Sequence, residues 1–181
     1  MCRCNFYGRE GVMAQIITVN GKTPIIDPSV FLAENAVIIG DVEIQAGSSV
    51  WYNVVIRGDV APIRIGKESN IQDNTVIHGT YGQCGVTIGD RVTIGHSVIL
   101  HGCQIGSKVL IGMGSIVMDK AVVGEKSVVG AGSLVTEETQ LAPGMLSIGR
   151  PAKEKRPLNE KEAQFLDQSA DNYKLYQSWY R

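Results

Sequence analysis

The sequence predicts an all-β chain wound into a parallel β-helix and followed by one C-terminal α-helix. Three observations carry that prediction: aliphatic residues recur every six positions, a small or β-branched residue stands four places beyond each, and Val (20) with Ile (19) far outnumbers Leu (9). The series runs Ile26, Leu32, Ile38, Ile44, Val50 and Ile56, then Ile65, Ile71 and Ile77, then Ile88, Ile94 and Leu100. It finishes with Ile105, Ile111, Val117, Val123, Val129 and Val135. The fourth residue on is Val, Ala, Ser or Thr at 16 of these 18 positions, Tyr81 and Gln104 being the exceptions. A period of six fits neither a helix, at about 3.6 residues per turn, nor a simple two-sided strand. It fits a short strand and a turn repeated along a prism, with one bulky side chain filling the bore and one small side chain permitting each corner. Gly is abundant at 21 residues, as expected where backbone needs positive φ or close packing.

Hexapeptide repeats of this kind resemble those of left-handed β-helix proteins, in which three hexads make one triangular coil. The resemblance supplies the handedness; the spacing does not, and the usual crossover rule runs the other way. The prism is expected over residues 16–152, ending in Leu146-Ser-Ile-Gly-Arg-Pro-Ala152. Residues 153–181 read as a linker and a helix, with Leu166, Ala170, Tyr173 and Tyr176 at near-helical steps forming the face that packs on the prism. Residues 1–15 read as a disordered extension without the apolar run of a secretory signal, and Met13 is a candidate functional start. Cys2 and Cys4 lack the spacing and the second pair of a zinc knuckle. A formal charge of −1 without a basic run argues against nucleic acid or an anionic membrane as partner. No stretch approaches the roughly 20 apolar residues of a membrane span. A reducing, cytoplasmic setting is expected for Cys84 and Cys103.

His78 directly follows the inward Ile77 and His101 the inward Leu100, so alternation along a strand points both imidazoles outward. From Ile77 the inward positions run Ile88, Ile94 and Leu100, which places Leu100 three corners later on the same face. His101 stands 23 positions after His78, one 18-residue coil plus five extra residues in the loop after His78. The rings therefore stack on neighbouring rungs about 4.8 Å apart, where both can lean toward one zinc ion at about 2.0–2.1 Å. His96 belongs to the preceding face. Because a catalytic zinc takes three protein ligands and leaves one position to water, His96 is expected from an adjacent subunit, with three identical sites in a homotrimer. The repeat departs from its own rule after these same two histidines, in the loop Gly79-Thr-Tyr-Gly-Gln-Cys-Gly85 and in the five-residue step from Leu100 to Ile105. Such local irregularity is what a functional site produces.

Val50-Trp-Tyr-Asn-Val-Val-Ile-Arg-Gly-Asp59, Ile71-Gln-Asp-Asn-Thr-Val-Ile-His78, Ile94-Gly-His96 and Leu100-His-Gly-Cys103 resemble the gamma-class carbonic anhydrase family, over residues 16–181. The resemblance implies a trimer in which His78 and His101 of one chain and His96 of its neighbour hold Zn²⁺, with iron or cobalt as alternatives. It implies reversible hydration of CO₂ to bicarbonate by metal-bound hydroxide. It also implies that Arg57, Asp59 and Asp73 lie near the metal and the interface as an ion-pair network, that Gln72 hydrogen-bonds the metal-bound water or bicarbonate, and that Asn70 and Tyr173 reach the site. The chain departs from the best-studied members, which carry a Glu where Val60 stands and a longer acidic loop; here the 79–85 loop has no carboxylate. Two other functions use the same prism. One is a CoA-dependent acyltransferase, which needs a His as general base, and the other is a non-catalytic metal-binding or accessory trimer.

Overall fold

The structure, a computed structural model, describes residues 13–180. Most of the expected N-terminal extension, with Cys2 and Cys4, lies outside the described residues. Short parallel strands stack into a solenoid of about seven turns with three faces. The first face carries Gln15–Ile17, the leading halves of Val37–Ile44 and Val55–Ile65, then Val76–His78, Ile99–His101, Ile116–Val117 and Leu134–Val135. The second carries Ile25–Ile26, the trailing halves of the same two long strands, then Val86–Ile88, Gln104–Ile105, Val122–Val123 and Gln140–Leu141. The third carries Phe31–Leu32, Ser49–Val50, Asn70–Ile71, Thr93–Ile94, Leu110–Ile111, Val128–Val129 and Met145–Gly149. The two long strands run through a corner and so join the first two faces into one sheet of 12 strands.

The six-residue pattern fills the bore as expected. Ile38, Val50, Ile56, Ile71, Ile77, Ile94, Leu100, Ile111, Val117, Val123, Val129 and Val135 are all wholly buried, as are Ala36, Val54, Thr75, Ser115 and Ala121 at the corners. Each buried aliphatic side chain contributes roughly 1.5–3 kcal/mol relative to exposure, so the stack as a whole holds the coil closed. Ile26 and Leu32 are only partly buried. Val60 is the corner position that departs: the strand there is longer, and Ile63, in register with Val42, takes the inward place. The glycines that follow the aliphatic residues answer to close approach. A Cβ on Gly112 would run into the Ala131 backbone nitrogen of the next coil, and one on Gly124 into that of Pro143. Positive φ is carried as often by polar corner residues such as Asn53, Asn74, Ser97 and Lys108.

Residues 153–157, expected as linker, instead form a strand. Ala152–Pro157 runs antiparallel to Met145–Gly149 and so pairs the edge that the last coil would otherwise leave open. The helix follows at Glu160–Ser178, opened by a capping box between Asn159 and Glu162. Its inner face buries Leu166, Ser169 and Ala170 against the third face, with Ser169 Oγ 2.9 Å from Thr93 Oγ1 and the Tyr173 ring edge-on to Trp51 at 5.5 Å. No helix among the described residues is long and apolar enough to cross a membrane.

Charge pins the helix along one corner. Arg91 reaches Glu68 (2.7 Å), Asp167 (3.2 Å) and Asp171 (3.0 Å), while Lys174 reaches Glu68 (2.8 Å) and Lys108 reaches Asp167 (3.0 Å). Hydrogen bonds from Lys174 and Arg91 hold Glu68 below the usual carboxylate range, and one from Lys108 does the same for Asp167. A depressed carboxylate stabilises the folded state above its unfolded pKa, and that contribution is lost as pH falls through the lower folded value. Arg91→Ala is therefore expected to cost on the order of 1 kcal/mol at pH 7, read as thermal unfolding. The gap between variant and wild type should narrow at about pH 3; an equal gap at both pH values would assign the loss to packing.

Candidate metal centre

His78 and His101 close neighbouring strands of the first face and are paired in register. Their ring centroids are 5.3 Å apart, and His78 Nδ1 lies 3.3 Å from His101 Nε2. Two adjacent ligands on a tetrahedral ion with bonds of about 2.0–2.1 Å are separated by about 3.3–3.4 Å, so this donor pair fits a shared zinc. Behind each ring stands a carboxylate. His78 Nε2 is 3.0 Å from Asp59 Oδ1, and His101 Nδ1 is 2.5 Å from Asp119 Oδ1. Carboxylates in this position fix ring orientation and tautomer in metal-binding histidines. Arg57 donates to Asp59 Oδ2 at 2.7 Å, and Thr80 Oγ1 donates to Asp119 Oδ2 at 2.5 Å. Burial works to raise both carboxyls, but hydrogen bonds from Arg57 and His78 to Asp59, and from Thr80 and His101 to Asp119, outweigh it and hold both below their usual range.

His96 does not join this pair within one chain. It lies in the turn between Thr93–Ile94 of the third face and Ile99–His101 of the first, half-exposed, with Nδ1 2.8 Å from Asp73 Oδ2 on the preceding coil. Gln72 and Asn70 belong to the same group. Gln72 Nε2 donates to Asn70 Oδ1 (3.1 Å), Asn70 Nδ2 donates to Thr93 Oγ1 (3.0 Å), and Thr93 meets Ser169 of the helix. Tyr173 packs nearby, its hydroxyl pushed up to about 12 by burial and by the charge of Asp73. The residues singled out in the sequence thus fall into two sets: Arg57, Asp59, His78 and His101 at one edge of the first face, and Gln72, Asp73 and His96 in the turns at its opposite edge, with Asn70 on the adjoining third face and Tyr173 on the helix that covers it. Among the described residues of one chain, no three metal-ligating side chains converge. Sequence reasoning missed Asp119 and Thr80. Asp119 stands 18 residues after His101, one coil on, and that spacing was the signal available.

Known proteins match this architecture. A family model described as bacterial transferase hexapeptide (six repeats) covers residues 102–137. Gamma carbonic anhydrase 2, mitochondrial, of Arabidopsis thaliana is 44% identical over 163 residues, 87% of this chain and 59% of its own length. A carbonic anhydrase of Geobacillus kaustophilus is 46% identical over 158 residues, 87% of this chain and 86% of its own. The chain belongs to the gamma carbonic anhydrase family. This family member spans about three fifths of the plant relative. It also overlays a hexapeptide transferase family protein from Anaplasma phagocytophilum with a TM-score of 0.89 and 46% identity, over 92% of this chain and 98% of that one.

Proposed function

We propose that this gamma carbonic anhydrase family member interconverts CO₂ and bicarbonate at zinc sites shared between the subunits of a homotrimer. The observation that carries the proposal is the division of the ligands. Two imidazoles stand 3.3 Å apart on one edge of the first face, and the third stands on the opposite edge. The surface between them is suited to a second copy of the chain. Its outward ladder reads Val37, Val55, Val76, Ile99, Ile116 and Leu134, each in register with the next. Val76 and Ile99 are 40% and 41% exposed, which is high for aliphatic residues at the centre of a sheet. The matching ladder of the second face is largely polar, with Glu43, Arg64, Thr87, Gln104 and Gln140, and the third face carries the helix. Different half-sites on two edges of one surface complement each other head to tail, which is the geometry of a closed ring.

A bound zinc ion supplies water that is acidic near neutral pH and polarises substrate oxygen. The protein does the rest. Three neutral imidazoles leave the ion its full charge, and Asp59, Asp73 and Asp119 hold the rings in place. The Gln72 amide, fixed through Asn70 and Thr93, orients the reacting oxygen from the same chain that contributes His96. Zinc content measured beside CO₂ hydration tests the proposal, and zinc-replete protein without hydration ends it. A second reading, a CoA-dependent acyltransferase, has support in the match to a transferase hexapeptide repeat and in the likeness to the Anaplasma transferase family protein. CoA-dependent acetylation that survives loss of all three histidines would establish it instead.

A further inference from the structure

We propose that Asp119 is the positioning residue for His101 and that the 79–85 loop holds Asp119 in place; this rests on the reading that His78 and His101 bind a metal. Asp119 sits at the corner after Ile116–Val117, one coil beyond His101. Both of its oxygens are engaged: Oδ1 takes His101 Nδ1 and Oδ2 takes the Thr80 hydroxyl, each at 2.5 Å. A carboxylate only accepts, so this contact requires the proton on Nδ1. Nε2 then keeps its lone pair and faces His78 across 3.3 Å. Without the carboxylate, the imidazole is free to change tautomer or turn over about its χ2 bond, and either change takes the donor atom away from the ion.

The irregularities of the repeat converge on this one carboxylate. The five residues added after His78 form a closed loop in which Thr80 and Cys84 pair backbone to backbone, at 2.9 and 3.2 Å, and so present both side chains toward Asp119. The shortened step after Leu100 places Gly102 at φ +55° directly after His101. A Cβ there would lie 2.5 Å from Cys84 Sγ and 2.6 Å from Asp119 Oδ1, so glycine is what lets the loop and the carboxylate close on the backbone beside the ligand. The loop insertion, the missing residue and the glycine thus have one physical explanation, although they stand in different hexads.

The test uses the full chain as Asp119→Asn, Asp119→Ala and Thr80→Val. Three quantities are read: zinc affinity by competition with a chromophoric chelator, the visible spectrum of the cobalt-loaded protein, and thermal unfolding of each metal-free protein. Loss of such an orienting partner typically lowers metal affinity about 10–100-fold. Asp119→Ala is expected in that range with an altered cobalt spectrum, Asp119→Asn between it and wild type, and Thr80→Val a few-fold weaker than wild type in the same direction. Asp119→Asn keeps the shape and gives up only the carboxylate's contribution at neutral pH, so its metal-free unfolding should fall slightly below wild type. Wild-type affinity and spectrum in both Asp119 variants overturn the positioning role, as does a loss of affinity in Asp119→Asn fully accompanied by lost stability. Wild-type protein that takes up neither zinc nor cobalt overturns the metal site itself, a different failure.

Discussion

Two variants that each lack zinc are expected to regain it in about a quarter of their sites when they assemble together. His96→Ala keeps His78 and His101 but offers its neighbour nothing, while His101→Ala keeps His96 but spoils its own pair. As separate homotrimers, both should fall below about a tenth of wild-type zinc content, because two imidazoles are one too few for a stable catalytic zinc. Their trimers should persist, since all three histidines lie at the edges of the apolar ladder and not within it. In a cyclic trimer assembled at random from equal amounts, each site draws its His78/His101 pair from one chain and its His96 from another. Half the pairs are sound and half the single donors are sound, and the two choices are independent. Co-expression of differently tagged variants and elemental analysis of the total trimer pool read the outcome. Double-affinity purification removes the unmixed trimers and raises the expected figure to about a third, because every mixed trimer has one sound site in three. A site built within one chain would give no recovery, because every chain then carries a defect. Stoichiometric zinc in His96→Ala alone would remove that residue from the ligand set.

The prism was legible because a hexad reports its own place: Ile71, Ile77, Ile94 and Leu100 are wholly buried where the count puts them. The same count placed His78 beside His101, since inserted loop residues leave the strands on either side in register. Other features were hidden for physical reasons. Asp119 occupies a corner where a repeat ordinarily carries an exposed polar residue, and only the coil-length spacing sets it apart from Glu125 or Glu138. Residues 153–157 read as linker because Lys153, Glu154, Lys155 and Arg156 have no apolar alternation. An edge strand needs none, its binding being backbone to backbone. Ser169 went unnoticed on the helix because a hydroxyl at an inward position looks polar, yet it ends the chain of hydrogen bonds through Thr93 and Asn70 to Gln72.

Ile99→Asp is expected to convert the trimer to monomers and to abolish zinc binding in the same step. Ile99 and His101 share a strand two residues apart, so their side chains leave the sheet on the same side, and Val76 and His78 repeat the arrangement one rung earlier. An aliphatic side chain buried at an interface contributes roughly 1.5–3 kcal/mol, and an ionised carboxylate forced into that place costs several kcal/mol more. The penalty recurs at each of three interfaces, enough to outweigh assembly at micromolar concentrations, where about 8 kcal/mol holds a complex together. Thr87→Asp, on the exposed polar ladder of the second face, should leave mass and zinc content unchanged, which separates a surface-specific effect from general instability. Light scattering and elemental analysis on the same fractions read both properties. The milder Ile99→Ser gives the sharper test of cause. A ligand that binds only the assembled state stabilises it by mass action, so excess zinc should drive Ile99→Ser back toward trimer and should fail to do so once His96→Ala is added. Zinc that binds monomeric Ile99→Asp at full stoichiometry would separate the metal from the interface and leave the apolar ladder without a role in the site.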